Sequence, residues 1–278
     1  MQSIRIRFIL ALSLLFSNFV CSFSYAEELP LWELSLGLGG LNQSYYTGTK
    51  QTRNYLFPII LPVYRGELLK SDDKGIRAEL FNDERYKLDL SLDFNFSVDS
   101  EDIDLRQGMP DIDSQLQIGP SLEIMLSKSA QHEFQFNLPF RATFSISGDG
   151  IDQKGYTFSP NFSYVHQLSQ GNKPWRLGLS VGPQFGDRDY HDIYYGVANE
   201  FVTANRAAYD TESGYSGSRL QLALTSKNRK RLWVWFLRYE NISGASFEDS
   251  PLVETNDNLT VGFLYSRYLF QSKTMVNR

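Results

Sequence analysis

Between residues 86 and 98 the chain alternates strictly. Leu88, Leu90, Leu92, Phe94 and Phe96 share one parity, and Lys87, Asp89, Ser91, Asp93 and Asn95 share the other. Successive side chains of a strand point to opposite sides of its sheet, so this segment has one apolar and one strongly polar face. The pattern recurs along the chain. Trp32, Leu34, Leu36 and Leu38 oppose Glu33, Ser35, Gly37 and Gly39. Leu116, Ile118, Leu122 and Ile124 oppose Gln115, Gln117, Ser121 and Glu123. Phe134, Phe136, Leu138 and Phe140 oppose Glu133, Gln135, Asn137 and Arg141, and Trp175, Leu177, Leu179 and Val181 oppose Arg176, Gly178, Ser180 and Gly182. No stretch of comparable length keeps helical spacing over three turns, so the predicted fold class is all-β.

A soluble sandwich and a membrane barrel share this alternation and differ in strand length. Soluble strands usually run about five or six residues, and membrane-spanning strands need about 9–11. The segments here run near the longer figure. Their polar faces mix charged residues with Gly and Ser, which suits a hydrated or hydrogen-bonded lumen, and Tyr and Trp gather near segment ends, as in interfacial girdles. The reading is a transmembrane antiparallel β-barrel. Working back from a last strand near residues 258–270, the connections 242–257, 186–213, 147–154 and 99–112 are long. The connections 226–230, 169–173, 127–131 and 82–85 are short. Short periplasmic turns alternating with longer outer loops are the rule for such barrels. A split of the segment 54–70 near Pro62 gives about twelve strands, with ten or fourteen as alternatives.

Composition narrows the class. The chain has 278 residues, 42% hydrophobic and 21% charged, with 20 Phe, 16 Tyr and 4 Trp. Its mean hydropathy of −0.33 excludes a bundle of spanning helices. The one long apolar run, residues 8–20, is shorter than the roughly 20 residues such a helix needs. It follows Arg5 and Arg7 and precedes Ser24-Tyr25-Ala26, the order of a secretory signal peptide over residues 1–26. The barrel domain is then 27–270 and a tail occupies 271–278. That start and the barrel pattern place the protein in the outer membrane of a Gram-negative cell, against outer-membrane lipid and lipopolysaccharide. The single Cys21 allows no internal disulfide and no cysteine zinc cluster. With 27 basic against 32 acidic residues, nucleic acid is not an expected partner.

The candidate chemistry is sparse. Asp99, Glu101, Asp102, Asp104, Asp111 and Asp113 form an acidic loop that could offer oxygen ligands to a hard cation or stay solvated. The EF-hand spacing is absent. Within that loop Gly108, Met109 and Pro110 read as a turn, and Arg106 either pairs with the carboxylates or points into the lumen. The long connection 186–213 carries Arg188, Tyr190, Tyr194, Tyr195 and Arg206, residue types that dominate binding contacts but that also suit a plug in the barrel mouth. Glu33, Asp89, Asp93, Arg141 and Arg176 are candidate lumen charges, either lining a path or closing it by pairing. No serine stands at a convincing short spacing from His132, His166 or His191, so no catalytic residue, no metal ligand set and no cofactor is assigned.

Several stretches carry a resemblance. Residues 98–122 read VDSEDIDLRQGMPDIDSQLQIGPSL, an acidic lead followed by Arg106, Gly108, Met109, Pro110 and Asp111, then Gly119-Pro120-Ser121-Leu122. Residues 55–66 read YLFPIILPVYRG, residues 194–197 YYGV, and residues 238–254 RYENISGASFEDSPLVE. Together these resemble the MipA/OmpV family of outer-membrane proteins, MltA-interacting protein-like, over most of the mature chain. The resemblance implies a non-enzymatic scaffold or adaptor that holds a lytic transglycosylase and a bifunctional murein synthase at the peptidoglycan. A narrow pore or solute channel and a surface adhesin or receptor are the alternatives. One departure stands out: Phe270 fills the terminal aromatic position, yet residues 271–278 follow it.

Overall fold

The computed structural model describes residues 29–65, 69–72, 75–148, 150–170, 173–228 and 230–276. The expected signal peptide and the last two residues of the tail lie outside the described residues. The strands are β1 (Trp32–Ser44), β2 (Thr52–Arg65), β3 (Leu69–Asp72), β4 (Gly75–Asn82), β5 (Tyr86–Asn95), β6 (Ser114–Lys128) and β7 (His132–Ile146). Next comes β8, one strand in two pieces, Ile151–Phe158 and Asn161–Gln170. Its first piece pairs with the outer half of β7 and its second with the inner half, with Ser159 and Pro160 between. β9 (Lys173–Gly186), β10 (Gly214–Lys227), β11 (Arg231–Asn241) and β12 (Asp257–Gln271) complete the ring. Every strand runs antiparallel to its neighbours, and β12 closes on β1 from Val261↔Asn42 to Gln271↔Glu33. The result is an antiparallel barrel of twelve strands.

The expected count is right, but its route through Pro62 is not. β2 runs straight through Pro58 and Pro62, and the extra pair is the short hairpin β3–β4. The prolines are tolerated for a geometric reason. Arg65 N–H donates to the Leu31 carbonyl, so odd positions of β2 turn their backbone groups toward β1. Even positions, Pro58 and Pro62 among them, turn theirs the other way. On that other side, among the described residues, β2 pairs with β3 at Tyr64↔Ser71 and Arg65↔Lys70. A proline has no N–H to offer a ladder, and proline is confined to such edges.

Outward positions carry Trp32, Leu36, Leu56, Ile60, Phe140, Trp233 and Trp235, all exposed, the lipid-facing band of a membrane barrel. No helix among the described residues is long and apolar enough to cross a membrane; the strands do the crossing. Inward positions bury Ser35, Gln115, Gln117, Arg141, Thr143, Thr225 and Ser266. The lumen is not polar throughout, as the alternation had suggested. Phe57 and Ile59 of β2 pack with Leu41, Leu232, Val234 and Leu264 in one buried cluster. β2 is apolar on both faces: Leu56 and Ile60 meet lipid while Phe57, Ile59 and Val63 fill the barrel. A barrel of this size is narrow enough for side chains to occupy it.

At one end the turns between β4 and β5, β6 and β7, and β10 and β11 are short. There the tail folds back: Met275–Val276 pairs with Leu29–Pro30, and Ser272 N–H donates to the Trp32 carbonyl at 2.8 Å. At the other end the loops after β1, β5, β9 and β11 pack on one another around Tyr46, Val98, Ile103, Ile112, Tyr195, Ile242 and Phe247. Their core is as dry as a soluble domain's, with Ile103 and Leu252 fully buried. These packed loops form a plug at this end of the barrel.

Candidate functional site

The plug is built on two segments flagged in the sequence. The loop after β9 is not structureless. Asp187 caps a helix α1, Arg188–Tyr195, its carboxylate accepting from Tyr190 N–H at 3.0 Å. The helix rests on β8 at Gly155, where φ is +95° and a Cβ would stand 2.1 Å from Asp187 Oδ1. From this helix three tyrosines reach in different directions. Tyr194 Oη donates to Gln115 Oε1 of β6 at 2.6 Å. Tyr195 Oη donates to the Thr47 carbonyl at 2.8 Å, and its ring stacks on Phe247 with centroids 3.6 Å apart. Tyr190 hangs into the lumen and lines a cavity there.

The acidic loop folds against that helix. Gln107 (φ −52°, ψ 131°) and Gly108 (φ +76°) form a type II turn closed by Met109 N–H to the Arg106 carbonyl at 2.9 Å, and position i+2 of such a turn requires glycine. Arg106 pairs with no carboxylate and does not line the lumen. Buried, it donates through Nε to Ser100 Oγ, through Nη1 to the Tyr194 carbonyl, and through Nη2 to the Pro110 carbonyl. Burial holds its guanidinium below the ordinary arginine value. Arg206 crosses in the opposite sense, donating through Nη1 to the Leu105 and Gln107 carbonyls at 2.7 and 3.1 Å. The two candidate loops are thus one unit, cross-tied by two arginines whose acceptors are backbone carbonyls. Arg188 stays outside it, in an exposed pair with Asp210, a contact worth little.

The carboxylates of the acidic loop are mostly engaged by their own chain. Asp99 accepts from Glu101 N–H, Glu101 from Gly108 N–H, Asp111 from Ser100 N–H and Asp113 from Ser145 Oγ. Asp102 stands 3.9 Å from Arg53. Asp104 donates its N–H to Gln51 Oε1, and Gln51 Nε2 donates to the Asp102 carbonyl. Among the described residues no three His, Cys, Asp or Glu side chains converge as a metal site would require.

Below the plug lies the cavity, about 140 Å³, lined by Asp93, Phe96, Arg141, Tyr190, Arg219, Arg238 and Glu240 among others. Arg219 donates twice to Glu240 Oε1, at 3.0 and 2.8 Å. Arg238 meets the Gln221 side-chain oxygen once that amide is turned. Arg141 donates through Nε to Ser91 Oγ at 2.9 Å and has no carboxylate within ion-pair distance. Lower down, Glu33 pairs with Arg65, and Asp89 pairs with Lys87. Arg176 is buried on the inward face of β9. The sequence reading missed Lys87, Arg65, Arg219, Arg238 and Glu240. Arg238 and Glu240 share a parity opposite Trp233, Trp235 and Tyr239, so alternation alone could have placed them inside.

A family model described as "MltA-interacting protein MipA" matches residues 36–270. No curated protein matches significantly. Among solved structures, a bacterial polysaccharide outer membrane secretin superimposes with a TM-score of 0.45 at 9% identity, over 86% of this chain and 99% of that one. An outer membrane channel from Pseudomonas putida F1 gives 0.40 at 12%, over 90% and 100%. The outer membrane protease OmpT from Escherichia coli gives 0.30 at 8%, over 92% and 100%. Likenesses at this level carry no argument about function.

Proposed function

The chain belongs to the MltA-interacting protein MipA family, and on that premise we propose that it is a non-enzymatic, non-conducting outer-membrane scaffold. The observation that supports this reading best is the closure of the barrel. The mouth holds a plug with its own dry core, and the apolar cluster of Leu41, Phe57, Ile59, Leu232, Val234 and Leu264 fills the lumen beneath the cavity. A barrel filled in this way offers rigid attachment rather than passage. A murein hydrolase of the lytic transglycosylase class, and with it a murein synthase, would sit on the periplasmic side. The plug loops face outward by the loop-length rule, so docking falls to the opposite rim. The two-residue sheet of Leu29–Pro30 and Met275–Val276 gives that rim an ordered edge.

The test is an affinity pull-down with the mature protein folded in detergent micelles, beside a variant cut after Ser272 and an unrelated barrel. Retention of a transglycosylase by the full chain, lost on truncation, is the expected result. Equal recovery on the unrelated barrel, with folding verified by heat-modifiable gel migration, would sink the scaffold. Stepwise conductance in planar bilayers would point instead to the pore.

A further inference from the structure

Above the β3–β4 hairpin, among the described residues, the upper part of β2 has no ladder toward β5. Among the described residues β3 meets β2 at Tyr64↔Ser71 and Arg65↔Lys70, and β4 follows β5 from Asn82↔Lys87 up to Ala78↔Leu90. The backbone groups of Asn54, Leu56, Pro58 and Ile60 face this gap with no strand opposite, along roughly 20 Å of β2. On the far side Phe94 N–H is taken up by its neighbour's carboxylate, Asp93 Oδ1, at 2.9 Å. Side chains cover the gap instead. Phe94 packs edge-on to Phe96 at 5.5 Å, and Phe96 stacks on Tyr55 at 5.7 Å. Backbone left unpaired at membrane depth is costly and is tolerated where it borders a cavity or protein. Pro58 and Pro62 keep strand addition off this edge.

What lies behind the seam is specific. Phe96 belongs both to the aromatic cover and to the lining of the lumen cavity. Inside that cavity Arg141 is 6% exposed and makes one hydrogen bond, to a neutral hydroxyl. Its Nη atoms have no acceptor among the described residues. Asp93 is near enough to be felt electrostatically, but so is the guanidinium of Arg219. Glu240 is engaged by Arg219. A buried cation so placed lacks the acceptor that such groups normally require. The cavity's 140 Å³ holds a small charged head with a few waters, at about 30 Å³ for each water.

We propose that the seam is a lateral portal for a single-chain anionic amphiphile from the bilayer, a long-chain carboxylate. Its head meets the Arg141 Nη atoms, and its tail leaves through the gap between Tyr55 and Phe94. The apolar inward face of β2 lines the start of the tail's path, and the bare edge keeps that path unladdered. Displacing Phe96 is the one movement that entry requires. This site is independent of the scaffold reading and of any periplasmic partner.

The experiment uses the mature chain, which has no cysteine, in neutral maltoside micelles with a dansyl-labelled undecanoate as probe and palmitate as competitor. Saturable binding displaced by palmitate, and not by acetate or hexadecanol, is expected. Arg141→Gln should weaken it roughly tenfold or more, the size of a lost charge-assisted hydrogen bond, and Arg141→Lys should restore part of it. Cysteines replacing Tyr55 and Phe96, bridged by a short bis-maleimide, should slow probe entry while leaving the protein folded by heat-modifiable migration. Unsaturable uptake, or binding unchanged in Arg141→Gln, overturns the head site. Entry as fast in the bridged protein as in the unbridged one overturns the portal.

Discussion

Leu36 and Ile60 face each other across the β1–β2 ladder, both outward and almost equally exposed, at 43% and 40%. Side-chain environment does not separate them, but their backbones differ. Leu36 turns its N–H toward β12, opposite Arg267, inside an unbroken ladder. Ile60 turns its N–H toward the gap above β3. One wall of the barrel is therefore laddered throughout, and in the neighbouring wall the described backbone pairing is confined to the short hairpin. Membrane barrels are stable because closure leaves no edge; this chain keeps one edge and covers it with aromatics. The difference lies in the length of one hairpin, and the two walls carry much the same lipid-facing surface.

The largest test of that contrast is a pair of proline substitutions. Leu36→Pro removes a ladder bond and strands an acceptor in hydrocarbon, so a loss on the order of several kcal/mol is expected. The folded, heat-modifiable form should largely disappear. Ile60→Pro removes an N–H with no strand partner among the described residues and should cost under about 1 kcal/mol, since the edge already accepts Pro58 and Pro62. Equal damage from both would mean that β2 has a strand partner on its far side.

Next in size is Arg106→Ala. Three acceptors lose one donor, and two of them are backbone carbonyls in the plug. Leaving such groups unmet costs about 3 kcal/mol together. The barrel should persist, because no strand pairing depends on Arg106, while trypsin cuts the loop between β9 and β10 much faster. Resistance equal to that of the parent chain would show that the two loops are not one unit. Arg106→Lys should not rescue, since an ammonium cannot reproduce a planar fork directed at three acceptors.

A smaller effect concerns the clasp above the seam. Gln51, in the loop leading into β2, bonds both Asp102 and Asp104 beyond β5, so its amide joins the two walls at the top, beside the looser Arg53–Asp102 pair. Gln51→Ala should cost about 1 kcal/mol. It should also raise the mobility of a spin label at Phe94 relative to one at Leu36. Unchanged mobility at Phe94 would remove the clasp from the account of the seam.

Strand positions and the outward face were legible in the sequence because period-two alternation is local. Leu88 to Phe96 announce β5 with no knowledge of its partners. The hairpin β3–β4 was not, because four residues, Leu69–Asp72, are too few for a period and their pairing is set across a turn. Arg219 opposite Glu240 depends on the register of two strands, which neither sequence states. Helix α1 spans Arg188–Tyr195, little more than two turns, below what spacing can reveal. In the sequence Arg106 reads as either pairing with the loop's carboxylates and ordering it or pointing into the lumen. Neither alternative describes it: two of its three acceptors are backbone carbonyls, which leave no trace in residue identity.

The smallest expected effect separates the plug from both walls by pH. His191 is fully buried, with Nδ1–H donating to the Glu212 carbonyl and Nε2 accepting from Ser216 Oγ, both at 2.6 Å. Burial, only partly offset by the Glu212 carbonyl and Asp187, holds its pKa below the ordinary 6.5. A base whose folded value is depressed is protonated more readily when released. The plug's stability is therefore complete above about pH 6.5 and falls as pH drops through and below that value. Protonation would also turn Nε2 into a donor facing a hydroxyl that already donates to it, and would place a charge against Phe247, whose ring lies 4.8 Å away. Protease protection of the outer loops should weaken between about pH 7.5 and pH 5, while heat-modifiable migration of the barrel stays constant. His191→Gln keeps a donor and an acceptor but does not titrate, so it should flatten the profile. A profile as steep in that variant as in the parent would assign the pH response to another group.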